Sequence, residues 1–436
     1  MPDQVWGKRM TDSKETAGEV LKQLGPGLIT GAADDDPSGI ATYSQAGAQF
    51  GFNMLWTVLL ALPLMIAIQS IAGRIGAVTG KGLAANLKRV IPEWMLTLLV
   101  LLLLVANIIN IAADVSAMGA AAKLLAPHLP VDVHVYIVAF GILSLVLQVV
   151  LSYERYVFIL KWLTLALLSY VAVLFVVHTP WSEVAMRTIL PRFTLDKTSI
   201  TLIVAVLGTT ISPYLFFWQS GQEVEEIDDH PANHALKDER PARARKEIRR
   251  IGIDTIVGMV FSEAVAFAII LTTAVTLNAH GQTNINSAAD AAEALRPIAG
   301  DFAATIFAIG IIGTGLLAIP VLAGSAAYAV AETGEWPHGL NKKVMQAKAF
   351  YFIIAVAVLG GVALSFSPID PIKALVWAAV VNGVAAVPIM AVTMLVVVRK
   401  DIMGVLTATR LQVIFRWLAT GVMGVAAVAM VATNLM

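Results

Sequence analysis

The sequence predicts an all-α integral membrane protein of eleven spans, built as two inverted five-helix repeats with an eleventh helix added. Three observations lead there. Of the residues, 58% are hydrophobic and only 14% charged, where a soluble domain carries about 25% charged residues. The apolar residues gather into runs of about 20, enough to cross roughly 30 Å of hydrocarbon. The first and sixth of those runs are interrupted at their centres. Interrupted helices at matching places in two halves point to an inverted-repeat transporter with its site near the membrane midplane.

In chain order, 1–24 is a polar cytoplasmic segment without the apolar core of a signal peptide, so the first apolar run should stay in the membrane. Runs at 25–46, 53–78, 94–122, 134–151 and 156–178 make the first repeat, 25–178. Runs at 199–220, 252–277, 302–332, 347–366 and 371–398 make the second, 199–398, and 411–434 is helix eleven. Lys8, Arg9, Lys14 and Lys22, then Arg74, Lys81, Lys88 and Arg89, then Arg155 and Lys161, fall on one side of the membrane. So do Lys237 to Arg250, Lys342, Lys343, Lys348, Arg399, Lys400 and Arg410. Arg187, Arg192 and Lys197 are the main exception. Basic loops stay inside, so the N-terminus is expected in the cytoplasm and the C-terminus outside. The loop 223–250 runs from acids to bases and reads as a solvated cytoplasmic loop with a helical basic end, or as a regulatory or lipid-binding segment. The external loop 278–299 is polar and ends in a short helix.

The first interruption reads GPGLITGAADDDPSGIATYSQAGAQFG, residues 25–51. An acid in hydrocarbon costs roughly 2.5–3.5 kcal/mol on insertion scales, and Asp34, Asp35 and Asp36 are consecutive. Pro37, Ser38 and Gly39 free backbone groups that lipid cannot satisfy. Both features make sense together around a cation; the competing reading is an extramembrane turn. The sixth run carries Gly208, Thr209, Thr210, Ile211, Ser212 and Pro213 at its middle. On run three, Asn107, Asn110 and Asp114 share a face, which lines a wet path or makes interhelical hydrogen bonds. Glu263 and Asn382 carry the same two readings. Tyr214, Phe217 and Trp218 read as packing or gate residues. Net charge is zero, which gives no electrostatic case for nucleic acid. There is no cysteine, no His cluster, no phosphate loop and no nucleophile–base pair, so neither an enzyme nor a bound cofactor is expected.

The 25–51 stretch resembles the first helix of the NRAMP divalent-metal transporters, whose broken segment reads Asp-Pro-Gly-Asn before a similar Ala-Thr and Gln-Ala-Gly-Ala-x-Phe-Gly run. GRIGAVTGKGL (73–83) and RKDIMG (399–404) extend the likeness over most of the chain. The resemblance implies a leucine-transporter-like fold and a metal held between broken helices 1 and 6, in the cell membrane of a prokaryote. The family aspartates fall on Asp36 and Asp114. The family glycine and asparagine fall on Ser38 and Gly39, the methionine on Ser212, and two histidines on Tyr214 and Gln219. Two family glutamates fall on Asn107 and Ala117, and an arginine on Glu226.

These departures share one chemical sense. A thioether suits softer transition metals, whereas Mg²⁺ wants hard oxygens and keeps several waters. Carboxylate, hydroxyl and backbone oxygens at Asp36, Asp35, Ser38, Gly39, Thr209 and Ser212 then form the expected site, with glycine at 39 widening it. Asp114, Asn107, Asn110, Tyr214 and Asn382 are the expected ion path. The lost histidines and glutamates are groups that would relay protons. The chain therefore resembles the NRAMP-related magnesium transporter branch: inward Mg²⁺ transport, with Mn²⁺ also carried, without proton coupling, by a monomer in the bilayer. The alternatives are a proton-coupled Mn²⁺/Fe²⁺ symporter, a non-transporting receptor of the same fold, and an amino-acid or organic-cation carrier of that fold, whose recognition of a carboxylate three acids at the site oppose.

Overall fold

The computed structural model describes residues 26–150, 165–192, 194, 196–228, 234–285, 287–368 and 370–435. The first apolar run is two helices, α1 (Pro26–Asp34) and α2 (Pro37–Phe50). They are followed by α3 (Leu55–Thr79), a short α4 (Leu83–Leu87), α5 (Glu93–Leu125) and α6 (Val133–Val150). The first part of the fifth expected span, 156–164, lies outside the described residues; the rest holds a 3-10 turn (Leu165–Leu167) and α7 (Leu168–Val173), and α8 (Trp181–Ile189) follows. The sixth run is again two helices, α9 (Lys197–Thr210) and α10 (Pro213–Asp228). Next come α11 (Pro241–Thr276), a short α12 (Ala288–Glu293), α13 (Ala303–Thr333), α14 (Lys348–Leu364), α15 (Pro371–Val397) and α16 (Arg410–Leu435). Among the described residues, eight helical stretches are long and apolar enough to cross a membrane, one of them running from Pro37 to Thr79. At 17 residues α14 is shorter but equally apolar.

The two broken helices pack antiparallel: α2 lies against α9, and α1 against α10. That is the arrangement an inverted repeat requires. Helix α11 supports the first broken helix along both halves, and α5 packs along α13, α14 and α15. Close approach of backbones makes this possible. A Cβ on Gly31 of α1 would sit 2.3 Å from the Gly258 carbonyl oxygen of α11. A Cβ on Gly208 of α9 would sit 2.2 Å from the Ala379 carbonyl oxygen of α15. Small residues are how membrane helices gain contact where lipid removes the hydrophobic drive between them.

Acids cap the starts of α1 and α9. Asp254 of α11 accepts from the Gly27 N–H at 2.7 Å, at the start of α1. Asp196 accepts from the Ser199 N–H at 2.9 Å at the start of α9. The Thr194 hydroxyl and that N–H hold the Asp196 carboxyl below its usual range. The loop expected to be solvated at 223–250 is largely two helix extensions. Its acids continue α10, its bases open α11, and Arg250 joins them through Glu226 at 3.0 Å. Opposite charges on neighbouring helix ends explain the sign change along that stretch.

Replacing Gly31 by Val should force α1 and α11 apart. Overpacking of this kind costs about 1–3 kcal/mol, so the variant should show a lowered melting temperature in detergent; an unchanged melt would contradict the contact.

Candidate cation site

Asp36 stands between the halves of the first broken helix. Its extended backbone (φ −71°, ψ 168°) ends α1 and turns the side chain over the start of α2. Oδ1 accepts from the Gly39 N–H at 2.7 Å, capping a donor that a helix start leaves free. Pro37 follows at the one helical position where a missing N–H costs nothing. Oδ2 accepts from Asn110 Nδ2 of α5 at 3.0 Å, and the Tyr214 hydroxyl of α10 lies 3.5 Å from both that oxygen and the Ala33 carbonyl. One carboxylate thus ties together the first break, α5 and the start of α10. Asp114, one turn beyond Asn110, faces the Ser38 N–H and the Asp36 carboxylate, yet neither of its oxygens completes a hydrogen bond.

Asp34 and Asp35 look toward α11 instead. The Ser262 hydroxyl lies 2.7 Å from Asp34 Oδ2 and 3.1 Å from Asp35 Oδ1. Glu263, the next residue, is within electrostatic reach of both; neither of its carboxylate oxygens has a partner. Among the described residues, no ion pair reaches any of these five acids. Buried carboxylates without counter-charge are costly, and a bound cation would offset that cost.

The second break is more self-contained than expected. The Ser212 hydroxyl lies 2.7 Å from the Gly208 carbonyl and 2.9 Å from the Thr209 carbonyl, so it closes the end of α9 with its own proton. Ser212 therefore caps a helix in this conformation, and the Thr209 carbonyl is already partnered. The expected widening at Gly39 also needs correction. A Cβ there would meet Thr209 Oγ1 at 3.2 Å, Tyr43 Cε2 at 3.3 Å and the Asp34 carbonyl at 3.4 Å, so the two breaks touch and the glycine permits the contact. Asn107 does not join the path. Its amide donates to the Leu322 carbonyl at 2.8 Å and to Ser325 Oγ at 2.9 Å on α13, the interhelical alternative. Gln219, at a family histidine position, donates to Thr255 at 2.9 Å.

Hard oxygens without partners remain on the elements that meet at this break: Ser38 Oγ and Thr42 Oγ1 on α2, Asn110 Oδ1 and both Asp114 oxygens on α5, and Asn382 Oδ1 on α15, which packs against α2. Among the described residues, no three Asp, Glu or His side chains converge tightly enough to hold a metal by themselves. Neutral oxygens must complete any coordination sphere. Asp36, Asp114, Asn110, Thr209 and Tyr214 are each at most 2% exposed, so a hydrated ion has no room until the breaks separate. Two cavities flank this closed centre. One, about 160 Å³, is lined by Ala41, Ala117, Phe307 and Leu375 and covered by Ala288 and Ala291 of α12. The other, about 120 Å³, lies at the basic-loop end among Glu223, Glu226, His234 and Arg250.

Ser262 carried no signal in the sequence, since a lone serine in a membrane helix is ordinary. Met118 was also missed: its sulfur lies against Gly315, beside Pro37. Asn110 orients the Asp36 carboxylate directly. Outer partners of this kind are worth roughly 10–100-fold in metal affinity, so Asn110→Leu should weaken Mn²⁺ binding by that factor in titration calorimetry, and unchanged affinity would remove Asn110 from the site.

The family model described as "Natural resistance-associated macrophage protein-like" matches residues 27–433. A protein named divalent metal cation transporter MntH from Acidiphilium cryptum is 27% identical over 366 residues, covering 81% of each chain. Another of that name from Verminephrobacter eiseniae is 27% identical over 382 residues, covering 83% of this chain and 82% of its own. The crystal structure of the Eremococcus coleocola manganese transporter superposes with TM-score 0.74 at 14% identity, over 97% of this chain and 89% of that one. MHP1, a nucleobase-cation-symport-1 family transporter in a closed conformation, superposes with TM-score 0.53 at 14% identity, over 94% and 92%. With the paired broken helices, these matches make the fold leucine-transporter-like, and the chain belongs to the Nramp family of divalent metal cation transporters.

Proposed function

We propose that the protein carries Mg²⁺, with Mn²⁺ as a second substrate, inward by alternating access and without proton coupling. The observation that carries this reading is the donor set beside Asp36: the partnerless carboxylate, amide and hydroxyl oxygens of Asp114, Asn110 and Ser38, with serine, tyrosine and glutamine at 212, 214 and 219, where the family has methionine and histidines. Hard oxygens suit Mg²⁺, and a soft ligand is what a transition-metal site would add. Asp36 is the principal ligand, Asp114 and Asn110 stand beside it, and Ser38, Gly39 and Thr209 add oxygens as the breaks part. Asp35 lines the opening toward α11. The ion enters through the cavity beneath α12 and leaves past Glu223 into the cytoplasm, where the basic loops lie. Two charges moving through 100 mV gain roughly 4.6 kcal/mol, at about 2.3 per charge, so no second ion is needed to drive entry.

The second reading is a proton-coupled manganese carrier. The solved neighbours named as manganese transporters favour its metal, and the partnerless carboxylates of Asp114 and Glu263, which can carry protons, favour its coupling.

In proteoliposomes, Asp36→Ala should abolish divalent-cation uptake, and normal uptake by that variant would displace the site. Ser212→Met should shift competition toward Mn²⁺ or Cd²⁺ over Mg²⁺; an unaltered ranking would mean that position 212 never meets the ion.

A further inference from the structure

Among the described residues, Arg416 is a buried charge that no counter-ion reaches. It lies near the start of α16, 5% exposed, and its Nη1 has no hydrogen-bond partner. Among the described residues no ion pair reaches it. The charge it feels is another cation, Arg74 of α3. Arg74 is fixed in place: Nε and Nη2 donate to the Leu406 carbonyl at 3.1 and 2.7 Å, and Nη2 also to the Thr407 carbonyl at 3.1 Å. Its Nη1 donates to Gln412 Oε1 at 3.2 Å. Gln412 is one turn before Arg416, so the two guanidinium groups share one face of α16. Two cations held together at a helix interface are destabilising unless an anion joins them.

Beside them runs an apolar crevice of about 740 Å³ between α3, α9 and α16. Val413 and Trp417, neighbours of Arg416 on its helix, line one end, and Trp56, Leu60 and Ile203 line the other. At this depth the medium that reaches such a wall is lipid hydrocarbon. The guanidinium fork matches phosphate geometry, and basic pockets between membrane helices at the cytoplasmic face suit anionic headgroups.

We propose that Arg416, with Arg74 beside it, binds the phosphate of an anionic phospholipid whose acyl chain lies in the crevice along α16. The test uses the delipidated full chain in detergent, with phosphatidylglycerol, phosphatidylcholine or inorganic phosphate added, read by native mass spectrometry and thermal melting. Phosphatidylglycerol should remain bound and raise the melting temperature, while phosphatidylcholine and inorganic phosphate do neither. Arg416→Gln should retain at least tenfold less phosphatidylglycerol, and Arg416→Lys, which keeps the charge, should retain an intermediate amount. Equal retention by Arg416→Gln overturns the proposal, and so does a wild-type response blind to the headgroup, which needs no variant to fold. Stabilisation by inorganic phosphate equal to that by the lipid would make this a soluble-anion site and overturn the lipid assignment.

Discussion

The Asp36 carboxylate has two oxygens and two obligations. Oδ1 caps the second half of a broken helix, and Oδ2 takes the Asn110 amide and faces the Tyr214 hydroxyl. Each obligation satisfies a polar group that hydrocarbon would leave exposed. Together they hold the first break against α5 and against the second break. The break at Ser212 closes on its own carbonyls and meets the first through Gly39 and Thr209. The centre of the bundle is therefore a contact between two helix interruptions, with acid on one side and capped carbonyls on the other.

That contact is closed, and under the proposed function its opening would be the step that admits the ion. An ion bound at Asp36, as proposed, would compete with the Gly39 N–H and the Asn110 amide for the same two oxygens. Coordination would loosen the cap of α2, and with it the seal between the breaks. The remaining acids divide by direction. Asp114 backs Asp36 on the α5 side, while Asp34 and Asp35 share one serine hydroxyl on α11.

Much of this was legible in the sequence. Asp-Asp-Asp-Pro-Ser-Gly within an apolar run forces a break, because hydrocarbon tolerates neither the charge nor the freed backbone elsewhere. The matching Ser212-Pro213 step five spans later gave the repeat. The spans followed from hydropathy, though α11 begins at Pro241, since its basic first turns are helical without being apolar. The site was half legible. Asp36 and Asn110 meet as the shared face of α5 suggested, but Asn107 turns to α13, because one face of a helix can touch two neighbours. Side-chain rotamers decide which oxygen of Ser212 or Thr209 is free, and no residue pattern encodes that. Ser262 is found only by knowing which helix lies under the triple acid. The tight fit at Gly39 came from the approach of two helices far apart in sequence, so its apparent roominess was misleading.

The most direct measurement is Mg²⁺ uptake into proteoliposomes holding a Mg²⁺-sensitive dye, with a pH dye in parallel and the voltage set by valinomycin. Entry of Mg²⁺ that follows the imposed voltage without internal acidification is the predicted result. Mn²⁺ entry with acidification and no Mg²⁺ entry would contradict it, and the ordinary proton-coupled carrier would take its place.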